Sequence, residues 1–346
     1  MWFNESYPPR TPEWYPLTSK AYPNSTYLSA RNAAGAESAE AAMAQAANTL
    51  VGFIKTEVAS ELSRQMISEE KTVNGKTTGT TETVLKNQIT SKVNVDLVAL
   101  EYADPYYNKS DKSWYACAYI EKAKAYEALK PELENEKSAF YGIYDKAIAE
   151  KEPFAKIRLL NSSRKQSGQF KTKLAYAELF APDLVAADFG ADKKAASEIS
   201  AQISEIIIKT PIYVTVKNDT DDAVKSALVS VLTSNGYTVS DALEKSACPL
   251  SASINYNEST QDDGTGNTIY INTPSLSVNL SDAGSKKAVY SFTVQGKSAR
   301  SYNRATVKNI ASKSISAAVK DEFAKDFSNF MGIESASADI LSLFGL

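Results

Sequence analysis

The sequence predicts an α+β protein: two small sheet-plus-helix domains joined by a helical hairpin or small bundle. Three observations predict it. A short extended piece, Thr26 to Arg31, runs into an alanine-packed helix and then into alternating segments. Residues 121–208 are helical in pattern throughout. After Thr210 a strand–helix order begins again, followed by three long alternating runs and a closing helix. The expected division is an extended proline-rich arm at 1–25, a first α+β domain at 26–120, a helical spacer at 121–208, a second α+β domain at 209–332 and an apolar tail at 333–346.

The arm carries Pro8, Pro9, Pro12, Pro16 and Pro23, whose fixed φ angles and missing donors exclude a helix. Its Trp2, Trp14 and Tyr15 are expected to pin it to an apolar surface. The helix from Ala36 to Ile54 places Ala39, Met43, Ala46, Leu50 and Ile54 at three- and four-residue spacing. Lys55 to Arg64 alternates through Thr56, Val58, Ser60 and Leu62 and reads as a strand. Asn74-Gly75 is a turn signal, and Thr83 to Thr90 reads as a short helix. Lys92 to Tyr102 reads as a strand with Val93, Val95, Leu97 and Ala99 on one face. Asp104 to Lys112 turns the chain, and Ser113 to Ile120 returns as its partner, with Trp114, Ala116, Ala118 and Ile120 sharing a face.

In the helical stretch, Glu121 to Lys151 is broken or restarted at Pro131, Phe154 to Lys165 follows, Gly168 and Pro182 punctuate, and Ala191 to Ile207 closes it. The second domain opens with the strand Pro211 to Val216. Asn218-Asp219-Thr220 is expected to cap a helix from Asp221 to Ser234. Tyr237 to Val239 starts the next strand. Leu250 to Tyr256, Thr268 to Leu280 and Lys286 to Gln295 alternate, and a helix from Tyr302 to Phe330 buries Ile315, Val319, Phe323 and Phe327.

Composition narrows the chemistry. The chain has 346 residues, 43% hydrophobic and 23% charged, with a net charge of −3. That balance predicts no attraction to nucleic acid or to an anionic membrane. There is no histidine, which removes the commonest general base, zinc ligand and pH switch. Cys117 and Cys248 lie far apart and in no metal-spaced cluster, so two inert buried thiols are expected in preference to a disulfide. No apolar run reaches the roughly 20 residues of a membrane span. The start, Met1 to Pro9, together with 19 tyrosines, fits the arm of a mature secreted protein whose leader has been removed.

Candidate sites follow the same logic. Asn218 to Asp222 offers oxygen ligands for calcium but lacks the glycine and distal glutamate of such a loop, and reads as a capped helix start. Asp262 to Asn267 is followed by a strand, not the helix a phosphate loop needs, and reads as a hairpin tip. Glu132, Glu134 and Glu136 with Lys130 and Lys137 read as a solvated helix face. Trp114 is expected in the core. No nucleophile elbow, Walker loop or dinucleotide fingerprint is present, so no catalytic, cofactor-binding or metal-binding residue is assigned. The expected partner contacts are Trp2, Trp14, Tyr15, Tyr106, Tyr107 and Phe344.

Residues 12–150 carry Pro12-Glu13-Trp14, the Ala39/Met43/Ala46/Ala47/Leu50 helix running into Ile54 to Val58, then Val93 to Asp96 and Trp114-Tyr115-Ala116-Cys117-Ala118. That set resembles the bacterial twenty-kilodalton outer-membrane lipoprotein family and the N-terminal domain of the periplasmic flagellar assembly protein T. The family's Val-Gly or Ile-Gly turn is replaced here by Ser29-Ala30-Arg31-Asn32, with Gly35 later. The second domain is more distantly similar to small α/β domains of envelope assembly proteins. The resemblance implies placement in the periplasm or outer membrane, assembly into a ring or scaffold, and no catalytic residues. The expected function is that of a non-enzymatic secreted envelope lipoprotein acting as a structural or assembly component. The alternative is a glycan- or peptide-binding module using the Tyr-rich loops. Expected partners are envelope proteins or the chain itself, with the membrane reached only through a removed lipid anchor; no cofactor and no nucleic acid are expected.

Overall fold

The computed structural model describes residues 10–16, 20–74, 89–90, 97–219, 221–244 and 247–332. The chain divides into two compact units. Among the described residues, the first runs through Tyr141 and takes Arg164–Glu198; the second takes Gly142–Ser163 and residues 199–332. The α+β class read from the sequence holds.

In the first unit, β1 (Tyr27–Arg31), β5 (Cys117–Glu121) and β2 (Leu100–Tyr102) form an antiparallel sheet in the order β1-β5-β2. Across it lies α1 (Ala39–Asn74). This helix buries Ala42, Ala46, Leu50, Ile54, Val58 and Leu62, one residue every four. The expected strand at Lys55–Arg64 is therefore corrected to helix. Val58 and Leu62 satisfy both a two- and a four-residue period, but Ala59 and Ser63 are buried as well, which only a helix face allows. Small side chains at positions 42 and 46 bring the helix close to Ala116, Ala118 and Ile120 of the same core.

The strand expected at Lys92–Tyr102 is confined, among the described residues, to Leu100–Tyr102; Val93 and Val95 lie outside them, as does most of the helix expected at Thr83–Thr90. Asp104–Lys112 is not a simple turn. It contributes β3 (Tyr106–Asn108), which pairs antiparallel with β4 (Ser113–Tyr115). The expected single strand from Ser113 to Ile120 is thus two strands, broken at Ala116.

The break is held by Asn32, which is fully buried. Its Oδ1 accepts the Ala116 N–H at 2.8 Å, and its Nδ2 donates to the carbonyls of Ala34 at 2.7 Å and Trp114 at 3.1 Å. Ala36 then bridges to Trp114, which leaves Gly35 against Ser113, where an added Cβ would overlap the serine Cβ. Gly35→Ala is expected to cost about 1–3 kcal/mol, as overpacking does. Combining it with Ser113→Gly should return most of the loss, read as the midpoint of urea unfolding.

Three long helices follow: α2 (Lys122–Ala149), α3 (Pro153–Glu178) and α4 (Pro182–Lys209). Pro131 lies inside α2 and does not end it, and Gly168 lies inside α3, so neither punctuates the chain as expected. The helices at 121–208 build cores on both sides of the division. Leu129, Leu133, Phe170, Leu174 and Phe189 join the first unit's core.

The second unit contains β6 (Ile212–Lys217), α5 (Ala223–Ser234), β7 (Val239–Ser240), β8 (Cys248–Asp262), β9 (Thr268–Ser281), β10 (Ala288–Gln295) and β11 (Ala299–Ser301). The sheet order is β10-β9-β8-β6-β7, with β11 also on β9. β6 runs parallel to β7 and β8, and the other pairs are antiparallel. The closing helix is α6 (Arg304–Ala318), a wide π turn (Val319–Phe323) and α7 (Ala324–Met331). Ile315, Val319, Phe323 and Phe327 are buried as the sequence indicates, and Met331 continues the series. A strict four-residue repeat drifts around a helix of about 3.6 residues per turn, and the π turn takes up that drift.

Candidate functional site

The aromatic residues of the arm and the Tyr-rich loop are brought together in the first unit. Trp14 is only 8% exposed. The Tyr15 ring meets Tyr106 at 4.9 Å and Tyr115 at 5.1 Å, both edge-on, and the Arg31 guanidinium sits 5.4 Å from its centre. Asn108 donates to the Tyr15 hydroxyl at 3.1 Å, and Arg31 donates to the Tyr15 carbonyl. Tyr107 packs on Trp114 at 5.2 Å, so Trp114 is half-buried beneath it. The hydroxyl of Tyr115 donates to Asp111 at 2.8 Å, which pushes its pKa up to about 12. These rings serve each other as partners, with Tyr15, Tyr106 and Tyr107 half-exposed. Trp2 and Phe344 lie outside the described residues.

The charge run on α2 is not simply solvated. Lys130 pairs with Asp188 at 2.7 Å, Lys137 with Asp192 at 3.0 Å, and Glu132 with Lys173. The two thiols, one in each unit, are free and buried, and burial pushes both up to about 11. At pH 8 only about a thousandth of each is thiolate. A disulfide reagent is expected to titrate neither cysteine in the native protein and both in denaturant.

In the second unit the long β8–β9 hairpin extends beyond the strand that flanks β8. Its register runs from Leu250 opposite Leu280 to Asp262 opposite Thr268. β6 accompanies β8 only from Cys248 to Ser253. Beyond that point no strand among the described residues lies on this edge. The direction of the backbone groups follows from two hydrogen bonds. The Cys248 N–H donates to the Pro211 carbonyl at 2.8 Å, and the Ile254 carbonyl accepts Asn218 Nδ2 at 2.9 Å. Even-numbered residues of β8 therefore face this edge, and the N–H and C=O groups of Tyr256, Glu258, Thr260 and Asp262 open outward.

The side chains of those four residues share the helix-covered face with buried Ala252 and Ile254. Arg304 Nε donates to Glu258 at 2.9 Å, and Lys308 lies 5.3 Å from the Tyr256 ring centre. A cavity of about 500 Å³ is lined by Val216, Asn218, Asp219, Tyr256, Glu258 and Lys308. A second, of about 340 Å³, runs along Glu258, Thr260, Tyr270 and Arg304. Asp219 accepts the Lys225 N–H at 2.8 Å, while its Oδ1 is buried without a partner among the described residues. Fully buried Asn272, opposite Glu258, likewise has neither amide atom bonded among the described residues.

The loop 262–267 is a hairpin tip, as expected. Asp263 accepts hydrogen bonds from Thr265 and Asn267, which hold its carboxyl well below the usual range. The helix expected from Asp221 begins two residues later, at Ala223, with the cap supplied by Asp219 rather than by the residue next to the helix. The open edge is hidden in the sequence, where the alternation that marks β8 ends at Tyr256. The polar run Asn257 to Asp262 reads as loop until its pairing with Thr268–Thr273 is known.

No protein-family model matches the chain, and no curated protein matches it. Among solved structures it is similar to a minor lipoprotein of Acinetobacter baumannii, at 14% identity and a TM-score of 0.25, over 36% of this chain and 92% of that one. It is also similar to a secreted protein of Helicobacter pylori, at 12% identity and a TM-score of 0.33, over 86% of this chain and 97% of that one. Among the described residues, no helix is long and apolar enough to cross a membrane.

Proposed function

We propose that this chain is a non-enzymatic secreted cell-envelope protein that acts as a structural or assembly component, in its native form a lipoprotein of the periplasm or outer membrane. The observation that carries the assembly role is the open edge of β8. An exposed run of outward N–H and C=O groups binds an extended segment through the main chain alone. Among the described residues no strand covers it, and from Asn255 to Asp262 it has no proline and no lysine. The envelope placement rests on the likeness of Pro12-Glu13-Trp14 and Trp114-Tyr115-Ala116-Cys117-Ala118 to the twenty-kilodalton outer-membrane lipoprotein family. Its partners are envelope proteins or further copies of the chain, not nucleic acid.

The test is fractionation of cells expressing the full precursor, with crosslinking of the intact envelope. The expected result is protein in the envelope fraction, crosslinked into a larger species. Recovery in the cytosol, or a crosslinked sample that stays a monomer, overturns the reading.

A further inference from the structure

We propose that the open edge of β8 pairs with the same edge of a second copy, antiparallel and centred on Ser259. The proposal rests on the assembly reading and names the partner for its site.

The register follows from the residues. Tyr256, Glu258, Thr260 and Asp262 point their backbone groups outward, so hydrogen-bonded pairs across a two-fold axis must join even-numbered residues. An axis at Glu258 would set that carboxylate against its own copy. One at Thr260 would set Glu258 against Asp262. An axis at Ser259 avoids both: Glu258 faces Thr260, and Tyr256 faces Asp262. The opposite side of the strand then pairs Asn257 with Gln261 and Ser259 with itself, all uncharged. The four outward residues of each chain would exchange roughly eight backbone hydrogen bonds in all.

Charge selects the same arrangement. Lys308 lies over Tyr256, and among the described residues no carboxylate is within ion-pair distance of it. Asp262 accepts the Gly264 N–H at 2.6 Å and has no cation near it among the described residues. Pairing Tyr256 with Asp262 places that carboxylate beside the ring, on the face where Lys308 sits. The two-fold axis makes the contact twice. Glu258, already neutralised by Arg304, adds no repulsion at the seam.

Cysteine crosslinking reads the register. Ser259→Cys puts two thiols at a non-hydrogen-bonded antiparallel pair, about 4.5 Å apart at Cα, within the range a disulfide spans. Mild oxidation should give a covalent dimer that reductant dissolves, and the buried native cysteines should not compete. Asn257→Cys or Gln261→Cys alone should give little; an equal mixture of the two should crosslink.

By sedimentation the unmodified protein should be a dimer. Thr260→Pro removes an outward N–H that β9 does not use and should leave a folded monomer by circular dichroism. Lys308→Glu should weaken the dimer roughly tenfold, and adding Asp262→Lys should restore it. A monomeric protein with no Ser259→Cys crosslink overturns the proposal, as does a dimer that survives Thr260→Pro. If envelope crosslinking then captures a different protein, this pairing fails while the assembly role stands. Cytosolic fractionation would instead sink that role, whatever the dimer does.

Discussion

Phe327→Ala is expected to destabilise the protein by about 3–5 kcal/mol, the usual range for removing a fully enclosed ring. Phe327 has no exposed surface, and four aromatic rings surround it. Tyr237, Tyr290 and Phe323 have centres 5.5 Å away, and Phe330 lies at 6.4 Å. Most are met edge-on or tilted, so the loss includes ring geometry as well as buried area. The hydroxyl of Tyr290 donates to Asp326 at 2.7 Å, which fixes one wall of the cage and limits how far it can collapse into the void. A rigid wall keeps the cavity open and the cost high. Phe327→Leu should recover part of the loss, and Phe330→Ala, at a half-exposed position, should cost less than Phe327→Ala. Urea unfolding of the three variants checks the order. A Phe327→Ala midpoint equal to that of the parent would contradict the packing described.

Asn32→Ala should be the second large effect, about 2–4 kcal/mol, through a different mechanism. No cavity term of note is involved. The Ala116 N–H loses its partner at a site closed to solvent, the Trp114 carbonyl is left with the Ala36 N–H alone, and the exposed Ala34 carbonyl turns to water. Asn32→Asp keeps the acceptor for Ala116 but loses both donors and buries a charge, so it should be at least as damaging. Amide hydrogen exchange at Ala116 should accelerate in both variants well beyond the global change. Exchange that rises uniformly along the chain would mean that Asn32 is not the local clamp.

Much of the fold was legible because the periodic segments are long. The closing helix declares itself through Ile315, Val319, Phe323 and Phe327, and β9 through its alternation from Leu276 to Leu280. The failures have physical causes. Lys55–Arg64 reads as a strand because Val58 and Leu62 fit two periods at once; only the length of the buried stripe from Ala42 decides between them. The β3–β4 hairpin is hidden in the sequence because Asp104–Lys112 is rich in turn formers, and the pairing of Tyr107 with Trp114 is a tertiary fact. Pro131 sits inside α2 without ending it, against its local preference.

The sites were less legible still. Trp14 and Tyr15 stand out in the sequence as the aromatic residues of the arm, yet Arg31 and Asn108, which hold Tyr15, carry no local signal. The edge of β8 is visible only once β6 is known to stop at Lys217.

The division of the three long helices also sets a timetable for the nascent chain. The first unit's core joins Ala42–Leu62 to Phe170, Leu174 and Phe189. Its earliest segment must therefore wait for roughly a hundred further residues before that core is complete, a large loop-closure delay. During that interval the apolar stripe of α1 can be covered only by the sheet and by Tyr126, Leu129 and Leu133 of α2, without Phe170, Leu174 and Phe189. Halting translation before residue 164 should leave a collapsed, protease-sensitive chain, and extending it past Glu198 should bring protection of α1 in a single step.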